Sequence, residues 1–292
     1  MITLRRRSDT AMRLSRSDQG VYVERDDECI VLRDVDWQPL ICRDDLHGYL
    51  VQRMASRDRE VVSVKSDIGH GTMLPVIGDK QELWAAGVTY FRSRTARMQE
   101  SAEVGGDSFY DRVYNADRPE LFMKATPHRV VGQGGTLRLR RDSKWMVPEP
   151  ELTLLISPNG KIIGYTAGND LSCRDIEGEN PLYLPQAKTF DGCAAVGPAI
   201  CVIDSSIAKE TAISIVIDRA GATVFEDATD LSQLKRSPET LVEYLFRECS
   251  FPHGCLLMTG TGLVPPDDFT LHAGDRVSIT IDGVGTLTNQ IA

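Results

Sequence analysis

The sequence lacks several features that would assign it to familiar classes of protein. It contains no run of about 18 apolar residues, so no helix is expected to span a membrane. It has no excess of positive charge, since its net charge is −9, and this argues against general binding to nucleic acid. The basic N-terminal stretch has no apolar segment of the kind found in secretory signals, so we expect a cytoplasmic protein.

The sequence also lacks any C-x-x-C pair, and its seven cysteines are an odd number. This pattern predicts reduced thiols in a cytosolic protein. Cys173 lies within a charged stretch, so it is either a catalytic nucleophile or a buried packing residue. No histidine lies near it in the sequence, which favours the packing role.

The length of 292 residues indicates about two domains. Residues 1–75 alternate short apolar runs with charged turns and predict a small N-terminal α+β subdomain, with strands at 21–23 and 30–32 and a helix at 46–54. Residues 80–292 form the second unit, in which strands outnumber helices, so the fold class is α+β and β-rich with mixed sheets. This unit has predicted strands at 83–88, 136–141, 195–203, 212–217, 256–258, 277–281 and 286–289, a turn at 177–181, and a helix that follows Ser237 and ends near Cys249.

A β-hairpin is predicted around the Asn-Gly pair at 159–160, which has apolar runs on both sides. Asn-Gly favours a two-residue type I′ turn, in which both residues have positive φ. With that turn and no bulge, Glu149 faces Asp170 and Glu151 faces Gly168. Residues opposite each other point to the same face of a sheet, as do residues two apart in one strand. The three carboxylates therefore converge.

Three carboxylates at such short range repel each other unless a cation lies between them. A divalent ion that prefers oxygen ligands, such as Mg²⁺ or Ca²⁺, removes the objection. The alternative is that Glu149 and Glu151 decorate the solvent face of an edge strand, with Pro150 protecting its edge. The registered Asp170 favours the metal site.

A metal held by three carboxylates keeps open positions that a 2-keto acid fills through its carboxylate and keto oxygens. Arg174 is suited to the substrate carboxylate. Lys188 is placed to anchor the keto oxygen or to move a proton, and Thr261 offers a hydroxyl between two glycines. The connection after Gly87 brings further polar groups close to a ligand, and candidate substrate-binding residues there and beyond are Tyr90, Arg92, Ser93 and Lys124.

Six segments together resemble the fumarylacetoacetate hydrolase family over residues 80 to 292: WAAGVTY, Glu149-x-Glu151, GNDLSCRD, QAKTFDGCAAVGP, MTGTG and AGDRVSITIDGVGTLTNQI. The resemblance implies a mixed β-sandwich roll with a smaller N-terminal region, assembled as a homodimer or homotetramer. It also implies a 2-keto carboxylate substrate and Mg²⁺ as the metal, with Mn²⁺ or Ca²⁺ as alternatives. Its metal ligands fall on Glu149, Glu151 and Asp170, and its substrate contacts include Arg174, Lys188 and Thr261.

The chain departs from the carbon–carbon bond hydrolases of that family at one place. They carry N-Y-x-x-H-x-x-E, whose His and Glu activate water, whereas Ser93 and Ala96 occupy those positions here. The RDIEGEN segment and the missing His resemble the family's dehydratase branch. That branch implies loss of water from 2-keto-3-deoxy-D-arabinonate or its xylonate-derived equivalent, giving 2,5-dioxopentanoate.

The catalytic base in this interpretation is Lys188, or a metal-bound water oriented by Glu120 or Glu177. Two alternatives remain open at this point. One is an acylpyruvate or diketo-acid hydrolase of the same family that uses a different base. The other is a metal-binding structural or regulatory protein, which the cationic Arg174 and Lys188 disfavour because a structural site does not need them.

Overall fold

The computed structural model describes residues 11–62, 71–92 and 112–292, and strands dominate them. The strands are β1 (Met12–Ser17), β2 (Gly20–Arg25), β3 (Glu28–Leu32), β4 (Glu60–Val62), β5 (Glu82–Gly87), β6 (Glu120–Ala125), β7 (Val130–Val131), β8 (Thr136–Leu137), β9 (Met146–Val147), β10 (Pro150–Ile156), β11 (Ile162–Asp170), β12 (Ser172–Cys173), β13 (Ala194–Val202), β14 (Ala212–Arg219), β15 (Ala222–Asp230), β16 (Cys255–Met258), β17 (Arg276–Ile281) and β18 (Gly285–Ile291). The helices are α1 (Trp37–Leu40), α2 (Leu46–Ala55), α3 (Arg174–Glu179), α4 (Leu184–Lys188) and α5 (Pro238–Phe246). No helix in these ranges is long and apolar enough to cross a membrane.

Two sheets face each other. The larger has the strand order β4-β3-β2-β1-β13-β11-β10-β16-β5-β6, with β7 also pairing with β13, and the smaller has the order β15-β14-β17-β18-β8. Most pairs are antiparallel, but β16 with β5, β13 with β7 and β18 with β8 are parallel. The mixed, β-rich architecture predicted from the sequence is confirmed.

Strand β10 lies at the centre of the larger sheet, between β11 and β16, and all seven of its residues are buried. Leu152, Leu154 and Ile156 point into the core between the two sheets, which they share with residues of β14 and β17. Leu155 points to the opposite face, into a second core with Leu14 of β1 and Leu50 of α2. Both faces of the strand are therefore covered, although Glu151 and Thr153 interrupt its apolar residues.

The N-terminal residues continue the larger sheet. Strand β1 pairs with β13, and Met12 lies opposite Val202. The predicted strands at 21–23 and 30–32 and the predicted helix at 46–54 are confirmed as β2, β3 and α2. Helices α1 and α2 cover the second core. The division into residues 1–75 and 80–292 remains a prediction.

Two local predictions differ from the structure. The strand predicted at 136–141 is limited to Thr136–Leu137, which pairs with Gln290 and Ile291 of β18. Beyond it, Arg138 N–H donates to Gly192 O and Leu139 N–H donates to Ala292 O. The turn predicted at 177–181 is wrong, since α3 occupies Arg174–Glu179. The polar signal there marks the helix end, where Asn180 accepts a hydrogen bond from Leu182 N–H at 2.9 Å.

The β10–β11 hairpin has a different turn from the one predicted. Ser157 N–H donates to Lys161 O at 2.9 Å, which encloses a three-residue loop, and Gly160 has φ +76° whereas Asn159 does not have positive φ. This pattern fits a type I turn followed by a left-handed residue, not type I′. A register shift between Leu155 and Ile156 then restores the predicted pairing, so that Leu155 faces Gly164 and Pro150 faces Asn169.

We predict that Gly160→Ala lowers the free energy of unfolding by about 1–2 kcal/mol, because alanine is strained at positive φ. The added Cβ would also lie 3.3 Å from Phe246 Cδ1. Gly160→Asn should lose less, since asparagine tolerates this conformation. Asn159→Ala is the matched control, with an expected loss below about 1 kcal/mol for one exposed hydrogen bond. Urea unfolding measures all three, and equal stability of Gly160→Ala and wild type would contradict the turn assignment.

Candidate active site

Three carboxylates meet at the open end of the hairpin. Asp170 N–H donates to Glu149 O at 2.9 Å and Glu151 pairs with Gly168, which is the register predicted from the sequence. One oxygen from each of the three carboxylates lies within 4.8 Å of the others. Their exposed fractions are 4% for Glu149 and 1% for Glu151 and Asp170, so the solvated edge-strand alternative is wrong.

Two cations contact Glu149. Lys188 Nζ, at the end of α4, donates to Glu149 Oε2 at 2.7 Å and to Asp170 Oδ2 at 3.0 Å. Arg174, at the start of α3, places its guanidinium 2.8 Å from Glu149 Oε1. Both side chains are buried, with 2% or less exposed. These contacts offset the charge of two carboxylates that would otherwise be costly to remove from water.

Lys124 is fully buried at the outermost strand of the larger sheet, β6. Its ammonium is 2.6 Å from Asp170 Oδ1, donates to Leu171 O at 2.9 Å, and also donates to the carbonyl of Lys188. An ammonium has three N–H donors. Two hydrogen bonds and one ion pair of Lys124 therefore join the ends of three segments.

Glu151 differs from the other two carboxylates. Its Oε2 accepts the Gly260 N–H at 2.5 Å, and within the described ranges no lysine or arginine forms an ion pair with it. Burial raises the pKa of Glu151 well above its usual range, and the charges of Asp170 and Glu149 raise it further. A buried carboxylate that forms no ion pair is the group that a metal ion would stabilise most.

The residues present fit a divalent ion with hard oxygen ligands. The three carboxylates supply oxygen donors only, which suits Mg²⁺, Mn²⁺ or Ca²⁺ rather than a metal that prefers sulfur or imidazole. Glu149, Glu151 and Asp170 would hold the ion. Lys124, Arg174 and Gly260 N–H act as the outer partners that orient such ligands.

A small pocket opens beside the carboxylates. Its apolar wall includes Phe122 and Leu184. Val88, which also lines it, has φ 52°, a backbone conformation that is uncommon for a β-branched residue and that often accompanies ligand sites. A larger groove lies at the hairpin tip, but the converging carboxylates place the active site here. Polar residues that line the pocket are Glu120, Glu149, Glu151, Asp170, Arg174, Lys188 and Thr261.

Glu177 lies behind Lys188. Its Oε1 is 3.6 Å from Lys188 Nζ, and its Oε2 accepts from Ser172 Oγ at 2.9 Å. Ser172 was not singled out in the sequence, and neither was Gly260, whose N–H contacts Glu151. Both are invisible to a search for charged residues, because one acts through a hydroxyl and the other through its backbone.

Several other candidates lie outside the pocket. Arg92 is exposed and donates to Asp227 Oδ2 at 2.6 Å and to Val264 O at 3.2 Å. Tyr90 is buried and packs against Gly262, where burial raises its pKa above the usual range. Ser93 lies outside the described residues. Cys173 is fully buried, which raises its pKa to about 11, as expected for a packing residue rather than a nucleophile.

A β-rich fold that carries a buried three-carboxylate centre, with lysines and an arginine around a small pocket, defines a metal-dependent enzyme for a small anionic molecule. The chain belongs to the fumarylacetoacetate hydrolase family: the family model described as "Fumarylacetoacetate (FAA) hydrolase C-terminal" matches residues 89–292. The resemblance seen in the sequence motifs is thereby confirmed.

Three known proteins are similar over most of their length. The probable 2-keto-3-deoxyxylonate dehydratase of Haloferax volcanii is 46% identical over 246 residues, covering 82% of each chain. The 2-dehydro-3-deoxy-D-arabinonate dehydratase of Saccharolobus solfataricus is 42% identical over 215 residues, covering 73% of this chain and 72% of that one. A structure of 2-keto-3-deoxy-D-arabinonate dehydratase complexed with magnesium and 2,5-dioxopentanoate has a TM-score of 0.81 and 34% identity, covering 96% of this chain and 98% of the other.

We predict that Glu151→Gln weakens Mg²⁺ binding at least about 10-fold, because a neutral amide replaces a charged ligand. The melting temperature should not fall, since the amide still accepts the Gly260 N–H and avoids burying a carboxylate. Calorimetric titration with Mg²⁺ measures the affinity, and Glu248→Gln, at an exposed glutamate, is the control. Unchanged affinity in Glu151→Gln would exclude it as a ligand.

Proposed function

We propose that the protein is a Mg²⁺-dependent hydro-lyase that converts a 2-keto-3-deoxy-pentonate, such as 2-keto-3-deoxy-D-arabinonate, into 2,5-dioxopentanoate. The observation that carries the proposal is the buried set of Glu149, Glu151 and Asp170 beside Lys188, within a chain similar over most of its length to two dehydratases of such acids. The replacement of the hydrolases' His by Ser93 supports dehydration over hydrolysis.

The pocket suits a substrate with a planar 2-keto carboxylate at one end. Arg174 offers a guanidinium to the carboxylate. Thr261 lines the pocket from the loop after β16, where its hydroxyl donates to Leu263 O at 3.2 Å and accepts from Leu263 N–H at 3.1 Å. When bound, Mg²⁺ supplies a Lewis acid that polarises the keto group and acidifies the protons on C3. The apolar side chains of Phe122 and Leu184 limit the water around the carbon chain.

Lys188 is the best placed group to move the C3 proton, since its Nζ faces the carboxylate centre and lines the pocket. The neutral amine form of this side chain would accept the proton. Glu177 contacts Lys188 from behind and orients it. Glu120 lines the pocket from another strand, β6, and we assign it to protonate the departing C4 hydroxyl. The C3–H and C4–O bonds break to give a C3–C4 double bond and water. A proton then moves from C5 to C3, and the resulting enol becomes the C5 aldehyde by moving its hydroxyl proton to C4.

Cell location and assembly complete the proposal. We infer a cytoplasmic enzyme because all seven cysteines are free thiols and most of them are buried. We infer a homodimer or homotetramer from the family membership.

The test of the reaction uses 2-keto-3-deoxypentonate and acetylpyruvate in parallel, each with and without EDTA. We expect semialdehyde from the first, detected with a coupled dehydrogenase, no pyruvate from the second, and loss of activity with EDTA. Lys188→Met should lower kcat by about 10²–10⁴-fold, the range for a lost proton-transfer group. Pyruvate release would instead identify the diketo-acid hydrolase, and no turnover of either would favour the non-catalytic alternative.

Lys124 has a different role in this proposal from the substrate contact first expected. Its ammonium contacts Asp170, Leu171 and Lys188, its side chain is fully buried, and it is not among the residues that line the pocket. We infer that Lys124 positions a metal ligand, Asp170, relative to the proton-transfer residue, Lys188.

Lys124→Met should therefore weaken Mg²⁺ binding by about 10–100-fold, the usual effect of removing an outer partner of a metal ligand. The KM for the keto acid at saturating Mg²⁺ should stay within about twofold, because no substrate contact is lost. Lys144→Met, at an exposed lysine, is the control. A raised KM with unchanged Mg²⁺ affinity would restore the substrate-contact role.

A further inference from the structure

Gly87 and Glu120 lie opposite each other where two strands reach the pocket. Gly87 ends β5, Glu120 begins β6, and the two residues are partners in an antiparallel pair. Both line the pocket beside the three carboxylates. Partners in such a pair point to the same face of the sheet, so the Glu120 side chain extends over the Gly87 backbone.

The backbone of Gly87 does not itself require glycine, since its φ is not among the positive values in the chain. Instead, the space above the Gly87 backbone is what requires glycine. A Cβ at position 87 would lie 2.1 Å from Glu120 Oε2 and 2.6 Å from Glu120 Cδ, far inside van der Waals contact. The two nearest atoms belong to the carboxyl group, at the flexible end of the side chain, and the third is Glu120 Cγ at 3.3 Å. An added methyl group would therefore displace the carboxyl rather than the strand.

We propose that Gly87 is a positioning residue for Glu120: its missing side chain sets where the Glu120 carboxyl lies in the pocket. The inference rests on the proposed function, in which Glu120 acts on the leaving hydroxyl. Strand β6 is at the edge of the larger sheet, so β5 is the strand neighbour that can fix the position of this carboxyl.

The catalytic effect follows from the size of the displacement. The added Cβ would lie 2.1 Å from Glu120 Oε2, whereas an ordinary contact needs about 3.4 Å. The carboxyl group must therefore move by more than about 1 Å. A misplacement of about 1 Å can lower a rate about 100-fold. The metal ligands are on other strands, β10 and β11, or next to them, so Mg²⁺ binding should not change.

The test is a double-mutant cycle of Gly87→Ala and Glu120→Ala in the full-length, Mg²⁺-loaded protein. Gly87→Ala should lower kcat about 100-fold with unchanged Mg²⁺ affinity. Added to Glu120→Ala, it should have no further effect, because the overlap and the acid are then both gone. Gly48→Ala in α2, where a Cβ would meet nothing within 4 Å, is the matched control and should keep full activity. A crystal structure of Gly87→Ala should show the Glu120 carboxyl displaced.

Each other outcome decides the question. Wild-type activity of Gly87→Ala, or an equal further loss in the Glu120→Ala background, overturns the inference. If Gly87→Ala fails to fold, the double variant must fold, since it has no overlap, and failure of both overturns the inference. Full activity of Glu120→Ala removes Glu120 from the proposed mechanism instead, and the crystal structure of Gly87→Ala still tests the positioning by itself.

Discussion

Mutual repulsion among the buried carboxylates of Glu149, Glu151 and Asp170 is the constraint on which the catalytic region depends. Carboxylates this close and this far from water are stable only where other groups balance their charge. Lys124, Lys188 and Arg174 balance part of it, but among the described residues none of these cations forms an ion pair with Glu151. The site thus has a remaining demand for positive charge, located where a metal and then a keto acid would bind.

The sandwich architecture supports this arrangement of buried charges. Strand β10 has apolar neighbours on both faces along most of its length, and this packing fixes the position of its charged end. The cations belong to segments outside that strand. Lys124 lies on β6, and Arg174 and Lys188 lie on the short helices α3 and α4. Fixed ligands and separately supported cations are the arrangement expected of a preorganised electrostatic site.

The sequence was sufficient to predict that the three carboxylates converge, because strand pairing has a period of two and relates Glu149 to Asp170 by position alone. It was not sufficient for the residues that act through tertiary contacts. The partners of Lys124 lie 46 to 64 positions away, at Asp170, Leu171 and Lys188, and no local pattern indicates them. Arg92 illustrates the opposite case, since a cation near a ligand loop in the sequence pairs with Asp227 on the surface. The glycine and proline at 178 and 181 predicted a turn, but residues 174–179 form helix α3, in which Arg174 and Glu177 are buried.

The bulge between Leu155 and Ile156 makes the strand register at the carboxylates independent of the turn at the hairpin tip. The tip contains one more loop residue than a two-residue turn, yet the pairing at the carboxylates is the one that a two-residue turn would give. The irregularity in β11 absorbs the difference before it reaches the charged end. A change in loop length at the tip can therefore be compensated at this bulge, so that the positions of the three carboxylates do not depend on the length of the distal turn.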